Sequence, residues 1–197
     1  ERVITDPLVM SRLTGTGILT KKDAEETHAV GPTARGSGIN NDVRQSMAEY
    51  KDFDFRYIVL GDMDNKDRIL VRGAELFESL EIIRQIADRL PAGPSYETPK
   101  LKFDTDYVQA YNEAPRGELY HALKIDAQGN ARNYRIRTPT PPNLAAMERA
   151  CIGDQITDAL LTIVSCDPCL SCSNRAIIVD SKTGKERLYE IKGGKVC

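Results

Sequence analysis

The residues with the clearest chemical potential are three cysteines within seven positions, Cys166, Cys169 and Cys172, spaced Cys-x2-Cys-x2-Cys. Thiols at such gaps converge on one turn, and thiolates favour soft or borderline transition metals. Cys151 and Cys197 bring the total to an odd five. A disulfide framework would spread its cysteines along the chain to close loops. Clustering therefore reads as metal ligation in a reducing compartment, with the cytoplasm as the expected location. Three metal readings compete. A structural zinc site usually pairs two separate knuckles into four ligands; here there is one knuckle, and the two histidines, His28 and His121, lie far upstream. A ferredoxin-type iron–sulfur cluster wants a fourth cysteine after a gap of three residues from the third, then proline. Those positions hold Ala176 and Ile177. The third reading takes Asp167-Pro168-Cys169-x2-Cys172-x2-Arg175 as the unit and leaves Cys166 a bystander.

That unit resembles the C-terminal motif of nickel–iron hydrogenase large subunits, in the Arg-ending form of the energy-converting, complex I-related group. Other segments match in the same order. Glu113-Ala114-Pro115-Arg116-Gly117-Glu118, with His121 after it, is similar to the family's Glu-Ala-Pro-Arg-Gly stretch. Gly31 to Gly38 with Asp42 and Arg44, Asp67-Arg68 with the helix that follows, and Arg135 to Thr140 look like segments shared with the complex I 49-kilodalton subunit. The resemblance runs from about Leu13 to Arg175.

The resemblance implies a fold that is mainly α (α+β), a helical core with small antiparallel hairpins, like the C-terminal half of such a subunit. Residues 1–175 form the C-terminal part of the domain of the large subunit, and residues 176–197 a tail that maturation can cleave. By that resemblance Cys169 would be a terminal nickel ligand, and Cys172 would bridge nickel to an iron carrying carbonyl and cyanide. The resemblance implies that Arg116 would hang its guanidinium over the open metal position, with Asp167 the natural partner to fix it through a charge-assisted hydrogen bond. The catalytic set expected from the resemblance is Arg116, Asp167 and Cys169, and the reaction it implies interconverts H2 with protons and electrons. The partners the resemblance implies are an iron–sulfur small subunit that carries the clusters, membrane subunits, and maturation factors with their endopeptidase. The complex is expected on the cytoplasmic side, peripheral to the membrane through these partners. Two alternatives remain: a metal-free quinone or cofactor oxidoreductase subunit of the 49-kilodalton type, and a small zinc-binding interaction module.

The chain departs from the family in lacking the second Cys-x2-Cys pair that completes four thiolates, and it begins at Glu1 rather than Met. It reads as a fragment or a processed chain, expected to be inactive in isolation. Nearly cancelling charges, 27 basic against 29 acidic, argue against a nucleic-acid partner. No apolar run is long enough to span a bilayer, and no signal peptide opens the chain.

The elements that must position these residues follow from periodicity. Thr20-Lys21-Lys22-Asp23 reads as a capping box opening a short helix to about Ala29, with a Gly-containing loop from Gly31 to Gly38. Leu76, Leu80, Ile83, Ile86 and Leu90 recur at helical spacing and predict a helix over residues 73–90 with these side chains as its apolar face. Residues 94–112 read as a long surface excursion, and residues 118–125 and 131–137 as a hairpin around Gly129-Asn130. A helical stretch opens at Pro141, with Leu144, Met147, Cys151, Ile156, Leu160 and Ile163 on its buried side and a possible break at Gly153. A second hairpin closes the chain around Lys182-Thr183-Gly184. Cys151 reads as core, His28 and His121 as structural, and Arg35 and Asp42 as residues that hold their loop.

Overall fold

The computed structural model describes residues 5–96, 98, 107–169, 175–180, 182–192 and 195–196. Its elements are α1 (Pro7–Leu13), α2 (Lys21–Glu26), α3 (Gly31–Arg35), α4 (Asn65–Arg89), β1 (Tyr107–Ala114), β2 (Gly117–Ile125), β3 (Ala131–Arg137), α5 (Thr140–Cys151), α6 (Ile156–Cys166), β4 (Arg175–Val179), β5 (Glu186–Lys192) and β6 (Lys195–Val196). The result is a mixed α+β fold, as expected. The strands form antiparallel meanders in the orders β1-β2-β3 and β4-β5-β6.

The Thr20 hydroxyl caps α2 by accepting from the Asp23 amide at 3.1 Å. The helix stops at Glu26, short of Ala29, and the segment expected as a loop is instead the buried helix α3. Pro32 in its first turn is already set for helical φ. A small, alanine-rich core joins these helices to α5: Leu19, Ala24, Ala29, Ala34, Ala146 and Ala150. The α5 residues buried toward it, Asn143, Ala146, Met147 and Ala150, follow the i, i+3, i+4, i+7 rhythm of one helix face.

Helix α4 differs most from expectation. It begins at Asn65 rather than Gly73, because the Asp64 carboxylate accepts from the Asp67 amide at 2.9 Å and supplies an N-cap. Its apolar stripe faces outward: Leu76, Phe77, Leu80, Ile83 and Ile86 are between 42% and 67% exposed. The buried side carries Asn65, Asp67, Arg68, Glu78 and Gln85 beside Val71 and Ile82. The reason lies in what packs there. The irregular segment after Phe53 has backbone groups that need partners. The Asp54 amide donates to the Gln85 side chain (3.0 Å), which donates back to the Asp54 carbonyl (2.6 Å). The Arg56 amide donates to Glu78 at 2.9 Å.

The stretch expected as a surface excursion contains strand β1. The two later hairpins form where predicted, and the helical stretch divides at Gly153 (φ +92°) into α5 and α6. On α6 the expected buried residues Ile156 and Leu160 are exposed, and Thr162, Ser165 and Cys166 are buried.

One backbone contact fixes the β1–β2 turn. Gly31 (φ +64°) and Gly117 (φ +124°) meet so closely that a Cβ on Gly31 would fall 2.4 Å from the Gly117 Cα, and one on Gly117 would fall 2.7 Å from the Gly31 nitrogen. Strain at positive φ adds to this overlap. Gly31→Ala is expected to lower stability by about 2 kcal/mol or more, read as a lower urea midpoint at unchanged slope.

Candidate functional site

The candidate site forms where α6 ends against the tip of the β1–β2 hairpin. Strand register pairs Ala114 with Gly117, so Pro115 and Arg116 form the tight turn. Asn143 of α5 pins this turn: its side chain accepts from the Val30 amide (2.9 Å) and donates to the carbonyls of Val30 and Arg116 (both 3.2 Å). The Arg116 carbonyl is thereby tied to the same helix whose first residue, Thr140, accepts from the Cys169 amide through its hydroxyl (3.3 Å).

Asp167 caps α6 in the left-handed conformation (φ 50°, ψ 55°). An Asp at positive φ is uncommon and costs energy, so its surroundings must hold it there. Arg116 does so from one side, donating from Nε to the Asp167 carbonyl (2.5 Å) and from Nη2 to its carboxylate (3.2 Å). Two arginines one turn apart on α4 act from the other. Arg68 is fully buried and donates to the Ser165 hydroxyl (2.8 Å), the Asn65 side-chain oxygen (2.5 Å) and the Gly17 carbonyl (2.6 Å). Arg72 donates to the Ser165 carbonyl at 2.9 Å and stands 4.0 Å from the Asp167 carboxylate. Both guanidinium groups lie at the negative end of the α6 dipole, where cations are favoured. Burial works to lower the Arg72 pKa, partly offset by the nearby Asp167 carboxylate, and the net shift is downward.

Of the expected set, Arg116 in the hairpin turn is brought against Asp167 at the end of α6, two residues before Cys169. Cys172 and Cys197 lie outside the described residues, and Arg175 opens β4. Cys166 is buried next to Ser165. His121 stacks on Tyr134 and shares a 2.6 Å hydrogen bond with its hydroxyl, and His28 is exposed just beyond α2. Cys151 is half-buried; burial pushes its thiol from the ordinary 9.0 up to about 11. At pH 8 that leaves about one thiolate in a thousand, roughly 100-fold less than an ordinary thiol. Cys151 is therefore expected to escape alkylation by iodoacetamide under conditions that fully label an exposed cysteine, as read by peptide mass mapping.

Behind the hairpin tip, Arg35 is fully buried and donates from Nε to Glu75 (2.6 Å) and from Nη1 to Glu113 (2.9 Å), with Asp42 3.9 Å away. Burial opposes its charge, but Glu113, Glu75 and Asp42 outweigh it and raise its pKa. Glu113 itself is shifted upward, by burial first, despite Arg35. Asp42 also accepts from the Arg44 guanidinium. This network joins α3, α4 and β1 and supports the strand that delivers Arg116. A cleft of about 500 Å³ opens beside it, lined in part by Arg44, Arg72, Glu75, Glu113 and Pro115.

Sequence pattern alone assigns no role to Arg68, Arg72, Thr140 or Asn143. The i, i+4 spacing of Arg68 and Arg72 was the available signal, but nothing in the sequence says that α6 ends beside them.

Known proteins can be compared with this geometry. The family profile for the respiratory-chain NADH dehydrogenase 49 Kd subunit matches residues 1–105 and 95–175. The chain belongs to that family. Among curated proteins it is 36% identical over 200 residues to the membrane-bound hydrogenase subunit alpha of Pyrococcus furiosus, covering 92% of this chain and 46% of that protein. It is 35% identical over 173 residues to the carbon monoxide-induced hydrogenase of Rhodospirillum rubrum, covering 87% and 48%. It is 36% identical over 173 residues to an NADH-quinone oxidoreductase subunit of Desulfotalea psychrophila, covering 85% and 46%. The chain spans about half the length of these relatives. Their names are those of oxidoreductases, and two are named as subunits. Among the described residues no helix is long and apolar enough to cross a membrane.

Proposed function

We propose that this chain is part of the catalytic subunit of an energy-converting nickel–iron hydrogenase, interconverting H2 with protons and electrons. The observation that carries the reading is the Asp167-Pro168-Cys169 turn with Arg116 donating to both the carbonyl and the carboxylate of Asp167. In kind, the donors fit the proposed metals: the thiols of Cys169 and Cys172 suit nickel and iron. In number they fall short of a full set, and among the described residues no three His, Cys, Asp or Glu gather to hold a metal. The remaining thiolates must come from elsewhere in the polypeptide. Cys169 and Cys172 would hold the pair, which would supply Lewis acidity and redox capacity when bound.

The protein's own part is orientation. Thr140 anchors the Cys169 amide, and Asn143 anchors the Arg116 carbonyl. Arg116 presents a fixed, charged fork beside the thiol-bearing turn, where it can hold a polar or anionic species without giving up its proton. Electrons would leave to an iron–sulfur partner subunit. Membrane subunits would anchor the complex on its cytoplasmic side, and maturation factors with an endopeptidase would install the metals and trim the tail.

The second reading is a metal-free oxidoreductase subunit of the quinone type, favoured by the NADH-quinone oxidoreductase relative at 36% identity. Metal analysis of the complete, natively matured complex separates the two, alongside H2-dependent dye reduction. Nickel and iron with H2 oxidation are the expected result. Zinc, or neither metal with quinone reduction intact, would overturn the hydrogenase reading.

A further inference from the structure

Glu113 is a buried carboxyl to which the chemistry above gives no part. Its side chain is 4% exposed, near the end of β1 and three residues before Arg116. The groups that face it come from several elements. From α3, Arg35 donates to its Oε1 at 2.9 Å. From residues 42–44 come the charges of Asp42 and Arg44, and the Val43 amide, which reaches Oε2 at 3.4 Å. From α4, Glu75 accepts from the same Arg35 at 2.6 Å. From β2, Glu118 stands opposite in register and is paired with Arg137. Arg72 lines the same cleft but is engaged with the Ser165 carbonyl and the Asp167 carboxylate. Within ion-pair distance, three carboxyl groups (Asp42, Glu75 and Glu113) therefore share two guanidinium groups, Arg35 and Arg44.

A buried cluster with one negative charge in excess is costly, and a single added proton makes it neutral. Glu113 is the group best placed to hold that proton. Asp42 is committed to Arg44, which donates to both of its oxygens. Glu75 keeps the shorter bond to Arg35 and is the more exposed of the two glutamates. Oε2 of Glu113 has, among the described residues, only the long contact with the Val43 amide. Burial, opposed by Arg35 and reinforced by Asp42, raises the pKa of this carboxyl. It also lines the cleft of about 500 Å³ that reaches Pro115, the residue before Arg116, so its proton has a way to water beside the hairpin tip.

We propose that Glu113 is a proton-carrying residue, whose carboxylate takes a proton at the cleft wall and returns it, serving the redox chemistry at the Arg116–Asp167 turn. Only an O–H bond forms and breaks there, and no electrons move at Glu113. The inference rests on the site being a proton-coupled redox centre. H2 oxidation releases protons and quinone reduction takes them up, so it applies under either reading of the function.

The test compares Glu113→Gln and Glu113→Asp with wild type in the assembled complex. Glutamine keeps an oxygen for Arg35 but cannot take up a proton, whereas aspartate keeps the acid on a shorter stem. A purely structural role ranks glutamine at or above aspartate, and proton carriage reverses that order. Turnover, by H2 oxidation or by quinone reduction, is expected to fall at least about 10-fold in Glu113→Gln with KM unchanged, and to recover in part in Glu113→Asp. Infrared difference spectra of the wild type should show the carbonyl band of a protonated carboxyl that disappears between about pH 5 and pH 8, above the ordinary glutamate range. Glu113→Gln should lack that band. Absence of the band from wild type, its survival in Glu113→Gln, turnover within about threefold of wild type in that variant, or glutamine matching aspartate would each overturn the inference. Metal content is read on the same preparations. Nickel-free complex with the Glu113 band intact removes the hydrogenase reading alone, and nickel with H2 turnover but no such band removes this inference alone.

Discussion

On the proposed hydrogenase reading, Arg116→Leu in the assembled, metal-loaded complex is expected to lower H2 turnover by at least about 100-fold while nickel and iron contents stay at wild-type levels. The size follows from losing one preorganised charged donor at a reacting centre, which typically costs about 10²–10³ in rate. Folding should be little affected. The Arg116 side chain is 36% exposed and the Asp167 side chain 39%. An ion pair that open is screened and is worth within about 1 kcal/mol. The turn keeps Asn143 on the Arg116 carbonyl and Thr140 on the Cys169 amide, and neither bond involves the guanidinium. Arg116→Lys separates charge from geometry. An ammonium is a compact point charge without the planar fork through which Arg116 meets the Asp167 carbonyl and carboxylate, so lysine should recover only a small part of the rate. Steady-state H2 oxidation with metal analysis on the same preparations is the measurement. Turnover within threefold of wild type in Arg116→Leu would remove this side chain from the chemistry, whatever metals are present.

The sequence showed the two later hairpins, because strand alternation around a turn is a local pattern; the expected contact of Arg116 with Asp167, 51 residues apart, came from the family resemblance and is present in the fold. Sequence pattern misled at α4. Periodicity says that Leu76, Leu80 and Ile83 share a face, but not whether that face looks inward; here Asn65, Asp67, Arg68, Glu78 and Gln85 take the inner side instead. The same holds for Ile156 and Leu160 on α6. The missed start of α4 is a different failure: Asp64 caps it, but the apolar rhythm begins only later, so a search led by hydrophobicity starts late. The supports of the site were hidden for a third reason. Arg68, Thr140 and Asn143 act across 97, 29 and 113 residues of sequence. Such pairings appear only when the chain is folded.

Arg68 carries the largest expected effect on stability. It is fully buried, yet its partners are neutral: the Gly17 carbonyl, the Asn65 side-chain oxygen, the Ser165 hydroxyl and, at 3.4 Å, the Met63 carbonyl. Hydrogen bonds from a charged donor are worth about 1.5–3 kcal/mol each, and a buried acceptor left without one costs about 1–3. Against this stands the relief of no longer burying a cation, which tempers the sum. Arg68→Ala, which also leaves a void between α4 and α6, is expected to lose about 3–5 kcal/mol. That is a large share of the roughly 5–15 kcal/mol that holds a typical domain together. Arg68→Met fills most of the volume and isolates the hydrogen-bonding part, so its loss should be smaller, about 2–3 kcal/mol. The difference between the variants then measures packing. Because Arg68 holds Ser165, the damage should reach the turn beyond it: the Asp167 amide, bonded to the Val164 carbonyl at 3.0 Å, should exchange with solvent faster in both variants. Urea unfolding with hydrogen exchange reads both effects. A loss under about 1 kcal/mol in Arg68→Ala would mean that the end of α6 is held by Arg72 and Arg116 without this buried clamp.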